Sequence, residues 1–343
     1  MGFVAPNTII AGYVLLGIAS ISVQSSASAA TPGPALTDPK REWTASIRWE
    51  NDIFAGTDRY YTDGISLGLL HTGPSWMDPV ADWLPWGEGR RTVGYALTQT
   101  MYTPANKDLS EPDPNDRPYA GILAVALALH VEHARSYHGL AFFTGVVGPA
   151  SLAEDTQRLM HHWLGNNVPQ GWNHQLHNEP ILNLVYEYRH KFQVTGDRER
   201  WSLEALPLAG GWLGNVLIQG EIGGLVRFGY HMPDDFGPTL VRGMEHMPPP
   251  RHSAQDRSRS DWGFSVYGGG FINLVARDIT LDGNTFRDSP SVTRRFFVPA
   301  AGFGLSVGNR HFQASSTYVF WGREFKGEPK ASGFGSLTVS YFF

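Results

Sequence analysis

From Trp43 to Phe343 the chain consists of short stretches in which apolar and polar side chains alternate, separated by breaks rich in Gly, Pro, Asn and Asp. A period of two puts alternate side chains on opposite faces of a strand, so each stretch predicts a strand with one apolar face. Twelve are recognisable, at about 43–50, 63–72, 92–102, 119–133, 138–148, 178–193, 200–210, 214–230, 260–273, 294–308, 310–323 and 333–343. In the last, Leu337, Val339, Tyr341 and Phe343 alternate with Ser336, Thr338, Ser340 and Phe342. That suits a wall with lipid on one side and a polar lumen on the other, and an even number of strands lets the first and last pair antiparallel. The predicted fold is all-β: a transmembrane antiparallel β-barrel of about twelve strands, with a soluble sandwich as the alternative.

The breaks fall into two kinds. Those at 134–137, 195–199, 211–212 and 308–309 are short and predict tight hairpins. Those at 73–91, 103–118, 149–177, 231–259 and 274–293 are long and Pro-rich, and predict loops gathered at the other end of a barrel. Within the third lies one segment of a different period: residues 151–164 hold no Pro and little β-branching, with apolar residues at 152, 159, 160, 163 and 164. It predicts a short loop helix, capped by Ser151 with Glu154 three residues on and closed by Gly165. Gln157 and His161 then share one helical face.

Composition narrows the setting. The only long apolar run, Ile9 to Val23, leads into Ser25-Ser26-Ala27-Ser28-Ala29-Ala30. It reads as a signal peptide over residues 1–30, cleaved on export to leave a single barrel domain over 31–343, although no Lys or Arg precedes Lys40. Cysteine is absent, which removes disulfides and thiolate metal sites. A net charge of -5 argues against a nucleic-acid partner. Eleven Trp, 13 Tyr and 19 Phe exceed the needs of one small core and suit aromatic girdles at lipid headgroups.

Polar residues able to do chemistry gather in three places. The first is Glu50-Asn51-Asp52 with Asp58-Arg59-Tyr60-Tyr61-Thr62-Asp63-Gly64, and the second is Asn106-Lys107 with Asp116-Arg117-Pro118-Tyr119-Ala120-Gly121. The third is the helix with Gln157 and His161, running on to Gly171-Trp172-Asn173-His174-Gln175 and Asn178-Glu179-Pro180. Carboxylate and amide oxygens suit a hard cation, and imidazole is the side chain suited to a base at neutral pH. No G-x-S-x-G elbow marks a serine nucleophile. Asp116-Arg117 reads as a pair bracing a loop.

Five motifs occur in register: E-N-D-x-F, T-D-R-Y-Y-T-D-G, D-R-P-Y-A-G, the Gly148-Pro149 pair ahead of Q-x-x-x-H, and G-W-x-x-Q-x-x-N-E-P. With them the chain resembles the lipid A 3'-O-deacylase family from about Trp43 to Phe343. The resemblance implies a twelve-stranded barrel in the bacterial outer membrane that uses calcium (Ca2+) to hydrolyse the acyloxyacyl ester at the 3' position of lipid A, the lipopolysaccharide anchor. It implies an active-site set of Asn51, Asp52, Thr62, Lys107, Gln157 and His161. In that set His161 is the general base on water, with calcium near Asn51 and Asp52 stabilising the oxyanion. Thr62 and Gln157 would orient ester or water, and Lys107 would meet a phosphate. His162 is the rival base, off the Gln157 face. One departure stands out: Asn166 and Asn167 occupy a stretch where the family carries an acid, and Glu154, Asp155 or Glu179 would have to compensate. An outer-membrane phospholipase and a small non-enzymatic pore are the alternative functions.

Overall fold

The computed structural model describes residues 41–56, 59–165, 167–239 and 262–343; the expected signal peptide lies outside them. The alternating stretches become strands β1 (Trp43–Asn51), β2 (Tyr60–Thr72), β3 (Arg90–Thr103), β4 (Ala120–Glu132), β5 (Ser136–Val147) and β6 (Glu179–His190). After them come β7 (Phe192–Gly196), β8 (Trp201–Gly214), β9 (Leu217–Tyr230), β10 (Gly263–Asp278), β11 (Phe297–Gly308), β12 (Phe312–Trp321) and β13 (Ser332–Phe342). Neighbours in sequence are neighbours in the sheet, β1 pairs with β13, and β6 pairs with β8 to close the ring. The short β7 prolongs β6: Arg189 faces Leu208 and Phe192 faces Ala205, one continuous ladder interrupted at Lys191. The wall is thus a closed twelve-stranded antiparallel barrel plus one extra short strand.

Burial alternates in the sense opposite to a water-soluble core. On β13, Leu337, Val339 and Tyr341 face out and are exposed, while Ser336, Thr338 and Ser340 face the lumen and are buried. Closure leaves no sheet edge for hydrocarbon to meet, so the apolar face can be turned outward.

Charges fill the lumen in pairs, as buried charges must. Arg227 pairs with Glu204 at 2.6 Å and with Asp235, and Arg189 pairs with Glu187 at 2.6 Å. Asp235 belongs to residues 231–239, which fold back inside the barrel: Arg189 Nη1 donates to the carbonyls of Phe236 and Pro238, both at 2.9 Å. Arg48 Nη2 donates to Thr239 Oγ1 at 2.5 Å. Burial alone would raise the Asp235 pKa, but the Arg227 guanidinium holds it down, at about 2.

The long breaks do not all share one end. Trp43 and Phe343 are hydrogen-bonded at 2.8 Å and mark the terminal end. Counting strands from them puts residues 73–89 and 231–239 at that same end, and 104–119, 148–178 and 279–296 at the distal end. The expectation of five long loops on one face therefore holds for three. The end that a loop caps follows from the parity of strand order, which loop length does not report. In the connection 73–89, helix α1 (Asp78–Trp83) covers the outside of the wall, with Met77 and Ala81 on Val93, Leu129 and Val131. The expected hairpin at 211–212 is likewise corrected. Those residues lie inside β8, where Trp212 is buried, and the chain turns at 215–216 instead.

Candidate active site

Five residues from neighbouring strands form one row across the distal end: Gly335 pairs with Asn51, Asn51 with Asp63, Asp63 with Met101, and Met101 with Gly121. They share the parity of Leu67, Leu97 and Val125, which are exposed on the lipid side. The row therefore looks out of the barrel. Neighbouring strands lie about 4.8 Å apart, so Asn51 and Met101 stand about 10 Å from each other.

The predicted helix lies against this wall from outside. Helix α2 (Ala153–Leu164) packs Ala153 with Met101, Tyr119 and Trp172, and Gln99 Nε2 donates to the Ser151 carbonyl at 2.7 Å. The last glycine of D-R-P-Y-A-G permits the approach, since a Cβ on Gly121 would come within 2.2 Å of Ser151 Oγ and 2.4 Å of Ala153 Cβ. Gly148, at φ +100, faces the His177 backbone at a similar range and lets the chain leave β5 for the helix. Displacing the helix by even ~1 Å costs on the order of a hundred-fold in rate if it carries the chemistry. Gly121→Val is accordingly expected to lower activity by about a hundred-fold while the barrel still folds, as scored by heat-modifiable migration on a gel.

The predicted capping box does not form. Leu152, at φ 59, is the N-cap and offers no side-chain acceptor, Ser151 belongs to the preceding turn, and Glu154 pairs with Arg158 at 2.7 Å. At the other end Gly165 closes the helix in the left-handed conformation, as expected.

The helix buries its polar side. Gln157 is 2% exposed and His161 7%, while His162 and Trp163 face outward. His161 Nδ1 lies 2.5 Å from the Asn167 carbonyl oxygen. A carbonyl only accepts, so the ring proton sits on Nδ1 and Nε2 keeps its lone pair. The orienting group is main chain, so the absence of an acid at 167 leaves that contact intact. Of the three acids named as substitutes, Glu154 pairs with Arg158, and Glu179 accepts from Thr285 N at 2.7 Å and from Asn215 and Asn284. Asp155 is exposed on the helix.

Trp172, which sequence reasoning quoted only as part of a motif, is wholly buried and donates from Nε1 to Gln157 Oε1 at 2.7 Å. That bond fixes the amide, leaving Gln157 Nε2 buried without a hydrogen-bond partner among the described residues. It is a spare donor one helical turn from His161. The neighbouring Gly171 fits this packing, since a Cβ there would lie 2.6 Å from Tyr119 Cε2.

Asn51 and Asp52 sit where β1 breaks into a short 3-10 turn, Asp52–Ala55. Asn51 Oδ1 caps that turn by accepting from Ile53 N at 2.8 Å, and Asn51 Nδ2 donates to Asp63 Oδ2 at 2.7 Å. Asp52 is buried and accepts from the Arg59 amide. Thr62 occupies a β-bulge between Tyr61 and Asp63, and its Oγ1 lies 2.7 Å from Thr103 Oγ1. A bulge re-aims a side chain out of the ordinary alternation. Lys107 is buried in the next loop, its carbonyl accepting from Gln170 N at 2.9 Å, which ties it to the stretch following α2.

Arg117 plays a different part. It reaches across the barrel mouth to Glu324 at 2.7 Å, to Thr280 Oγ1 at 3.0 Å and over the Tyr102 ring, while Asp116 caps its own loop through Ala105 N and Arg117 N. The expected bracing role holds, with Glu324 as the ionic partner in place of Asp116.

Among the described residues no three His, Asp or Glu side chains could cage a metal by themselves. The donors on the row nevertheless fit a hard cation held on an open-sided site. They are all oxygen, Asp52 is a buried carboxylate beside Asn51, and Asp63 Oδ1 is buried without a hydrogen-bond partner among the described residues. The outer face of the wall thus carries an imidazole, a spare amide donor and, on the row, carboxylate and amide oxygens.

A family model described as "Outer membrane protein LpxR" matches residues 14–343. Among solved structures, LpxR from Salmonella typhimurium superposes with a TM-score of 0.72 at 18% identity, covering 88% of this chain and 100% of that one. The β domain of the Bordetella autotransporter BrkA (TM-score 0.37, 10% identity, 88% and 99% covered) and the KdgM porin (0.36, 8%, 88% and 99%) align less well. No curated protein matches the chain.

Proposed function

Because the chain belongs to the LpxR family of outer-membrane proteins, we propose that it is a calcium-dependent hydrolase of the 3'-position acyl (acyloxyacyl) ester of lipid A. The observation that carries this reading is the position of α2 outside the wall, where Ala153 packs on Met101, the cross-strand neighbour of Asp63, and Gln157 and His161 are buried. A catalyst for a soluble substrate would open to water or to the lumen, whereas this row stands on the outward parity of the wall, that of Leu67, Leu97 and Val125.

His161 Nε2 takes a proton from water as the water oxygen attacks the ester carbonyl carbon. The carbon–oxygen bond to the sugar then breaks, and the proton passes from His161 to the departing 3' oxygen. Gln157 Nε2, held by Trp172, donates to the carbonyl oxygen as charge gathers there. Asp52 and Asn51, with Asp63 beside them, would hold calcium. When bound, the ion supplies Lewis-acid polarisation of the ester. Thr62 steadies the ester, and Lys107 meets a phosphate of the glucosamine backbone.

The test is mass spectrometry of lipid A from a host without such an activity. Expression should produce species lacking the 3' acyloxyacyl unit. Excess chelator should abolish the conversion in isolated membranes, and added calcium should restore it. Unchanged lipid A with shortened glycerophospholipids would favour the phospholipase, and conductance without hydrolysis the pore. The lumen-filling residues 231–239 argue against the latter.

A further inference from the structure

Below the row that faces α2, the outer wall is hollowed. A groove of about 610 Å³ runs over β2–β5, lined by Leu67, Leu97, Val125 and Phe142. It ends at Trp76, whose Nε1 donates to Tyr95 Oη at 3.0 Å, so the indole N–H is satisfied inside an apolar surface.

The sheet register connects it to the site. Leu67, Leu97 and Val125 form one outward row, four residues below Asp63–Met101–Gly121, and Leu69, Tyr95 and Leu127 form the next, six residues below. Between site and groove lies the half-buried row Ile65–Gln99–Leu123. At ~3.4 Å per residue the path from Met101 to Tyr95 is about 20 Å, and strands tilted by ~40° make that about 15 Å of depth. This is the depth of one leaflet of a ~30 Å hydrocarbon core.

From this geometry we infer that the groove holds one acyl chain of the lipid being cleaved, and that the Trp76–Tyr95 pair sets the longest chain accepted. The inference rests on the ester-hydrolase reading above and adds to it a determinant of chain length. A chain attached at an ester beside His161 descends along the wall, buries its methylenes against Leu97 and Val125, and meets the Trp76 ring at its end. Ordinary surrounding lipid would cover the same surface without any length preference.

Both Val125 and Trp76 are exposed on the outer wall, so substitutions there leave the lumen and the backbone ladder untouched. Lipid A carrying 3' chains of graded length is the probe. Val125→Trp is expected to lower the rate on the longest chains by about ten-fold and to spare short ones. Trp76→Ala should raise the rate on chains beyond the wild-type limit by about ten-fold. Hydrolysis with length profiles unmoved by both changes overturns the inference and leaves the function standing. Absence of hydrolysis by the wild-type protein instead sinks the function. The groove is then judged separately, by native mass spectrometry of the His161→Ala protein with the same lipids. Val125→Trp in that background must weaken retention of long chains relative to short ones, and equal retention overturns the groove.

Discussion

His161→Ala is expected to lower lipid A hydrolysis by about 10²–10⁴-fold, the contribution of a positioned general base, with folding unaffected. The side chain is buried against the Asn167 carbonyl, so its loss opens a small polar gap and removes no buried ion pair among the described residues. What disappears is the Nε2 lone pair, which has no substitute: His162, one residue on, is turned outward. Asn167→Ala is the informative companion. It keeps the main-chain carbonyl that orients the ring, so activity should stay within a few-fold of wild type, whereas a role for the Asn167 side chain would make the two variants resemble each other. Release of the 3' acyl chain at the wild-type rate by His161→Ala would remove the imidazole from the mechanism.

Arg117→Ala should produce the largest loss of stability, about 3–5 kcal/mol, because it strands carboxylates in a buried setting. Arg117 is fully buried, its side chain forms an ion pair with Glu324 at 2.7 Å and lies 3.7 Å from Asp278, and it joins the loop before β4 to the connections after β10 and β12. Burial works to strip its proton, but Glu324 and Asp278 hold its pKa above the ordinary arginine value. Urea titration in vesicles, scoring the heat-modifiable band, measures the effect. Adding Glu324→Gln to Arg117→Ala should recover part of the loss, since the stranded charge is what costs most. A midpoint shift equivalent to less than about 1 kcal/mol would show that the mouth is held by something else.

The candidate site divides by the range of the interactions that build it. Gln157 and His161 sit four residues apart on a helix whose period is visible locally, and their shared face could be read without a fold. The orientation of that face could not. An amphipathic helix normally turns its apolar side inward, yet here Leu159 and Trp163 look out and the polar pair looks in. The outside of a lipid-facing wall reverses the usual preference. Likewise Asn51 and Asp52 were legible as oxygen-bearing side chains, while the place of Asp63 beside Asn51 needed the cross-strand register and a bulge at Thr62.

What the chain determined alone was local: the two-residue alternation that makes each strand, the choice of which face meets lipid, and a helix ended by Gly165. Those follow from contacts between residues a few positions apart. Tertiary structure decided which end each loop caps, that residues 231–239 fill the lumen, and that Arg117 meets a carboxylate 207 positions away. Closing the ring sets strand parity and brings remote segments into one low-dielectric space, and no short window of sequence carries that constraint.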